Sequence, residues 1–135
     1  MVMRESFSTE KAAKPGNPYS QAIITNGRQL WISGQVPVDP VTGQLVEGDF
    51  AMLAHRVFTN ARLIAEAAGA NLANAIKVNV YLRDNNDFAA MNEIYKQYFP
   101  EPRPARTTVQ SNLRNTPIEI DCVVAMDECS PTTQS

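Results

Sequence analysis

Two short segments near the end of the chain hold the residues best typed and spaced for chemistry, Pro104-Ala105-Arg106-Thr107-Thr108 and Ile118-Glu119-Ile120-Asp121. Arg106 and Glu119 each open a strand-like run, where loop meets sheet and small-molecule sites form. Arginine offers a planar fork that grips a carboxylate with paired hydrogen bonds, and glutamate can accept a proton from an attacking water. An anion clamp facing a general base suits a small carboxylate-bearing substrate hydrolysed by water. Asp121 shares the strand face of Glu119, so a two-residue slip would exchange their places.

The elements that must position these residues follow from periodicity. Asp49 predicts an N-cap, followed by apolar residues at helical spacing (Phe50, Leu53, Ala54, Val57, Ala61, Ile64, Ala65, Ala68) and a stop at Gly69. From Ile76 the period becomes two, placing Ile76, Val78, Val80 and Leu82 on one face of a half-buried strand. Asp84-Asn85-Asn86-Asp87 caps a second helix with the stripe Phe88, Met91, Tyr95 and Tyr98, closing at Pro100. Met52, Phe58 and Met91 read as core. Strands are expected over 106–111 and 118–126, and around 3–7, while 21–25 and 30–34 flank Asn26-Gly27 as a predicted hairpin. The order fits an α+β layer, with two helices covering one face of a mixed sheet. The uncovered face, carrying Glu119, Val123 and Ala125, is the expected oligomer surface.

At 135 residues and 44% hydrophobic, the chain predicts one domain over 1–127 and a polar tail over 128–135. A net charge of -2 without a Lys/Arg cluster argues against a nucleic-acid partner. Charge at the N-terminus and the lack of any long apolar run predict a cytoplasmic protein with no membrane partner. Cys122 and Cys129 suggest no disulfide framework, and His55 has no ligand-spaced neighbours, so no metal is expected. Gly43 and Gly48 are isolated turn residues and not a phosphate loop, so no cofactor is expected.

Several separated motifs occur in order: Asn17-Pro18-Tyr19-Ser20-Gln21-Ala22, Ile32-Ser33-Gly34-Gln35-Val36-Pro37, Asp39-Pro40-Val41-Thr42-Gly43, Glu66-Ala67-Ala68-Gly69-Ala70, Asn86-Asp87-Phe88-Ala89-Ala90-Met91-Asn92-Glu93 and Pro104-Ala105-Arg106. Together they resemble the RidA (YjgF) reactive-intermediate deaminases across nearly the whole chain. The resemblance implies a chorismate-mutase-like subunit, a homotrimer with sites in the clefts between neighbours, and cofactor-free hydrolysis of 2-imino acids to 2-keto acids and ammonia. It assigns the substrate carboxylate to Arg106 and the water to Glu119 and the backbone carbonyl of Thr108. Tyr19, Ser33, Gly34 and Asn92 would line the pocket. Without the motif, Arg106 would read as a surface ion-pair residue and Glu119 as a solvated edge position. Tyr19 and Asn92 would read as ordinary loop and helix residues, and Ser33-Gly34 as a strand end.

The chain departs from the family pattern between Arg106 and Glu119, where the connection is about two residues shorter and Asn112-Leu113-Arg114-Asn115 replaces a Leu-Pro start. Two alternatives accompany the deaminase reading: a trimeric ligand-binding or chaperone-like protein using the same cleft for 2-keto or amino acids, and an endoribonuclease or translation inhibitor.

Overall fold

The structure is a computed structural model that describes residues 2–127; the tail 128–135, with Cys129, lies outside the described residues. β1 (Arg4–Phe7) and β2 (Ala22–Thr25) form an antiparallel pair. β3 (Gln29–Gln35), β4 (Ala75–Leu82), β5 (Ala105–Gln110) and β6 (Ile118–Ala125) form a mixed sheet in the order β3-β6-β4-β5, in which only β4 and β5 run parallel. α1 (Phe50–Ala67) joins β3 to β4, and α2 (Phe88–Tyr98) is the crossover that the parallel β4–β5 pair requires.

Both helices form where the sequence predicts. The Asp49 side chain accepts from the Met52 amide at 2.9 Å. At the other end Gly69, at φ 82°, turns the chain so that its amide bonds the Glu66 carbonyl and the Ala70 amide bonds that of Ala65. Ala54, Val57, Phe58, Ala61 and Ala65 of α1, with Met91, Ile94 and Tyr95 of α2, bury against Val78, Val80, Leu82, Ile118, Ile120, Cys122 and Val124. Two helices on one face of a mixed sheet is the expected α+β layer.

Four expectations are corrected. The predicted hairpin does not form: Asn26, Gly27 and Arg28 carry the chain from one sheet to the other, so β2 pairs with β1 and β3 with β6, where Met126 donates to the Arg28 carbonyl. A register shift between Ala75 and Lys77 gives Ala75, not Ile76, the buried place beside Val78. Met52 is not core but half exposed, lying over Gly48, and Ile64 is exposed. On the uncovered face Val123 and Ala125 are already buried within the chain, leaving Trp31, 74% exposed, as that face's largest open apolar group.

Candidate functional site

Cross-strand register decides which face each candidate takes, because directly opposed residues share a face. Arg106 stands opposite Val78, itself opposite Cys122, and Thr108 opposite Val80 and Ile120, all in rows on the helix-covered side. Glu119 stands opposite Tyr81, which stands opposite Val109; Asp121 is opposite Asn79 and then Thr107. Those rows lie on the open side. Within one chain, therefore, the arginine and the glutamate do not face each other.

Arg106 is drawn under α2 and is only 9% exposed. Its guanidinium carbon lies 4.8 Å from the ring centre of Tyr95, 5.5 Å from Tyr19 and 5.8 Å from Phe88, an aromatic cage that holds the cation by its faces. Among the described residues no carboxylate pairs with it, and its Nη1 is buried without a hydrogen-bond partner. Burial pushes the guanidinium below its usual pKa, while the Tyr95 and Tyr19 hydroxyls act the other way. Tyr95 is fully buried, and desolvation drives its phenol well above the ordinary range.

The loop before β2 assembles this group. Ser20 donates its amide to Pro104 and its hydroxyl to the Arg103 carbonyl, and it bridges to Ala105, so Tyr19 is clipped beside the start of β5. Asn92 of α2 donates to Asn17 Oδ1 at 3.1 Å, tying the helix to the same loop. Asn92 Oδ1, the Tyr95 hydroxyl and the Thr108 hydroxyl are also buried without partners. A buried polar atom left without a partner costs on the order of 1–3 kcal/mol.

The second group forms on the open face. A bulge between Ile32 and Gln35 places Ser33 and Gly34 beside β6. A Cβ on Gly34 would lie 2.5 Å from Glu119 Oε2, so the glycine leaves the room that the carboxylate occupies. Beyond its place in the β6 ladder opposite Tyr81, Glu119 makes no side-chain hydrogen bond among the described residues. Asp121, by contrast, accepts from Asn79 Nδ2 at 2.8 Å and the Tyr81 hydroxyl at 2.9 Å, a bond that also raises the Tyr81 pKa. Asp121 is thus committed to the sheet, and Glu119 is the carboxylate left open.

Sequence reading took Phe88 and Tyr95 only as a helix stripe and Asn17 only as part of a motif, and gave none of them a place at the site. The signal was the seven-residue spacing of Phe88 and Tyr95, which sets both on the same stripe of α2. Cys122 is a buried thiol whose pKa burial pushes up to about 12. His55 bonds the Tyr98 hydroxyl at 2.8 Å, and among the described residues no cluster of His, Cys, Asp and Glu suits a metal. Nor is any described helix long and apolar enough to cross a membrane.

A family model described as Endoribonuclease L-PSP matches residues 9–126. A RutC family protein of Pyrococcus horikoshii is 50% identical over 123 residues, covering 90% of this chain and 97% of the relative. The human protein named 2-iminobutanoate/2-iminopropanoate deaminase is 43% identical over 124 residues, 90% of each chain. Among solved structures, RidA from an Antarctic Psychrobacter is similar with a TM-score of 0.69 at 39% identity, over 90% of this chain and 99% of that one.

Proposed function

We propose a function from the premise that this chain belongs to the Endoribonuclease L-PSP family, the family of the RidA and RutC proteins: it hydrolyses 2-imino acids to 2-keto acids and ammonia. The observation that carries this reading is Arg106, nine-tenths buried in an aromatic cage with no acidic partner among the described residues. A cation so placed calls for an anion from outside the chain, and a small carboxylate fits its planar fork. The name of the human relative supplies the substrate class, since a 2-imino acid presents a carboxylate beside an electrophilic C=N carbon.

In this reading the Arg106 fork holds the carboxylate, with Tyr19 and Asn92 closing the pocket. Glu119 and the Thr108 carbonyl orient a water at C2, with Ser33 and Gly34 forming the adjacent wall. Glu119 takes a proton as the C–O bond forms and passes it to nitrogen; the carbinol hydroxyl then gives up its proton to Glu119 as C=O forms and the C–N bond breaks, and the departing ammonia carries that proton off as ammonium. An iminium carbon is already a strong electrophile, so orientation suffices without a cofactor.

Because the two groups lie on opposite faces of one sheet, the site is completed by a second copy. Arg106, Tyr19, Asn92 and Thr108 of one subunit meet Ser33, Gly34 and Glu119 of its neighbour in a cytoplasmic homotrimer. The open face bearing Trp31 is the surface that such a neighbour would cover. Light scattering tests this directly: a monomer at micromolar concentration removes the interfacial site.

The family's description favours a second reading, an endoribonuclease. Its sign would be RNA cleavage that survives extensive purification and disappears in Arg106→Ala. The net charge of -2 supplies little attraction for RNA phosphates. A trimer that binds keto acids without turnover would show saturable calorimetric binding and no effect on imine lifetime.

A further inference from the structure

The segment Asn112-Leu113-Arg114-Asn115, which departs from the family pattern, walls a cavity of about 360 Å³ together with Val36, Val38 and Leu45, and Glu119 also lines it. Both walls are fixed by the chain itself. On one side Val38 bridges Leu45, the Val46 amide bonds the Pro37 carbonyl and the Asp39 amide that of Gln44, each at 2.9 Å. On the other, Ser111 donates to Leu82, Arg83 to Pro117, and the Thr116 hydroxyl closes a turn on Ile118 at 2.8 Å. Val36, Val38, Leu45 and Leu113 stay only half-buried, so their apolar side chains present surface that a ligand could cover.

We propose that this cavity is the subsite for the substrate's side chain, and that the chain favours 2-imino acids with branched-aliphatic or aromatic side chains over those with a methyl group. The inference rests on the deaminase reading. C2 carries the carboxylate, the nitrogen and the side chain. With the carboxylate held toward Arg106 and the water at Glu119, the side chain is directed away from the clamp, into the cavity that adjoins Glu119. An isobutyl or benzyl group buries apolar surface there that a methyl group leaves wet, and each added carbon that fits strengthens binding of the reacting species. Arg114 also lines the cavity, so an acidic side chain is the rival occupant.

The test compares imines made in situ by amino-acid oxidases from alanine, leucine, phenylalanine and glutamate, with semicarbazide as competing trap. Wild type, Leu113→Trp and Leu113→Ala are measured. The leucine and phenylalanine imines should exceed the alanine imine by at least about 10-fold in kcat/KM. Leu113→Trp, which narrows the cavity, should cut that preference at least about 10-fold, and Leu113→Ala should shift it toward phenylalanine. Equal rates on all side chains, a preference for the glutamate imine, or equal loss on every imine in both variants would overturn the proposal while leaving deamination intact. If no imine is hydrolysed, the deaminase reading itself falls. Calorimetry of 4-methyl-2-oxopentanoate against pyruvate then decides the subsite: tighter binding of the larger acid supports it, and equal affinity refutes it.

Discussion

The surroundings of Arg106 and of Glu119 are built on different plans. Arg106 sits on the covered side of the sheet, pressed between Tyr95, Tyr19 and Phe88, and Tyr95 is in turn locked by Phe99 and Phe58 at ring-centre distances of 4.5 and 6.0 Å. Glu119 lies on the open side against a glycine, its carboxylate engaged by no donor among the described residues. A clamp is useful when its geometry is set before the ligand arrives, so burial and packing serve it. A group that must take up and release a proton needs reach and access, so an uncrowded place beside Gly34 serves it. The single chain thus carries two contrasting groups, one enclosed and held by aromatic rings, the other open on the uncovered face.

The largest expected effect comes from emptying the rigid half. Arg106→Ala should lower kcat/KM by about 2 to 5 kcal/mol, on the order of 30-fold to several-thousand-fold, and weaken keto-acid binding in calorimetry. Arg106→Lys should recover little of this, because an ammonium lacks the flat fork that the rings sandwich. If lysine restored most of the activity, the aromatic cage would be packing and not preorganisation.

Glu119→Gln attacks the open half and should reduce kcat by about 100-fold or more while leaving keto-acid affinity within a few-fold. Asp121→Asn should instead act on stability, since Asp121 already accepts from Asn79 and Tyr81. Reversal of these two outcomes would move the water-holding role two residues along β6.

Gly34→Ala sharpens the contrast further. The new methyl group would meet only the end of the flexible Glu119 side chain, 2.5 Å away, so the fold should lose less than about 1 kcal/mol. The displaced carboxylate should nonetheless cost about 10-fold in kcat. Melting curves beside turnover separate the two readouts, and an undisturbed kcat would mean that Glu119 needs no fixed place.

The smallest effect concerns Cys122, buried under the clamp's side of the sheet. Its thiol is held to about 12 when folded and returns to near 9 when unfolded, so the unfolded chain releases the proton first. The contribution of Cys122 to stability should be constant below about pH 9 and decline between that value and about 12, as thermal melts of wild type against Cys122→Ala across the range would show. With Cys129→Ser in place, iodoacetamide at pH 8 should leave the folded protein unmodified. Rapid labelling would mean that the covered face opens readily.

Much of the fold was legible because its cues are local. Asp49 and Gly69 bound α1 within a residue, and the alternation in β6 separates Ile118, Ile120, Cys122 and Val124 from Glu119 and Asp121. What pairs with what was not legible. Asn26-Gly27 suggests a hairpin locally, yet β3 finds β6 nearly a hundred residues later. Ile76 fits the alternation of β4 but a bulge, which leaves no mark in the pattern, turns it out. For the same reason the site residues could be named singly but not divided: alternation gives each strand two faces, and only the register between β4, β5 and β6 shows that Arg106 and Glu119 take opposite ones.

That division leads to the most direct measurement, keto-acid release against semicarbazide for Arg106→Ala and Glu119→Gln, each alone and after the two are unfolded and refolded together. If the site joins Arg106 of one subunit to Glu119 of another, random mixing rebuilds roughly a quarter of the sites, and the mixture should regain about that share of wild-type activity. A mixture as inactive as either variant, beside an active wild type, would contradict a site shared between two copies.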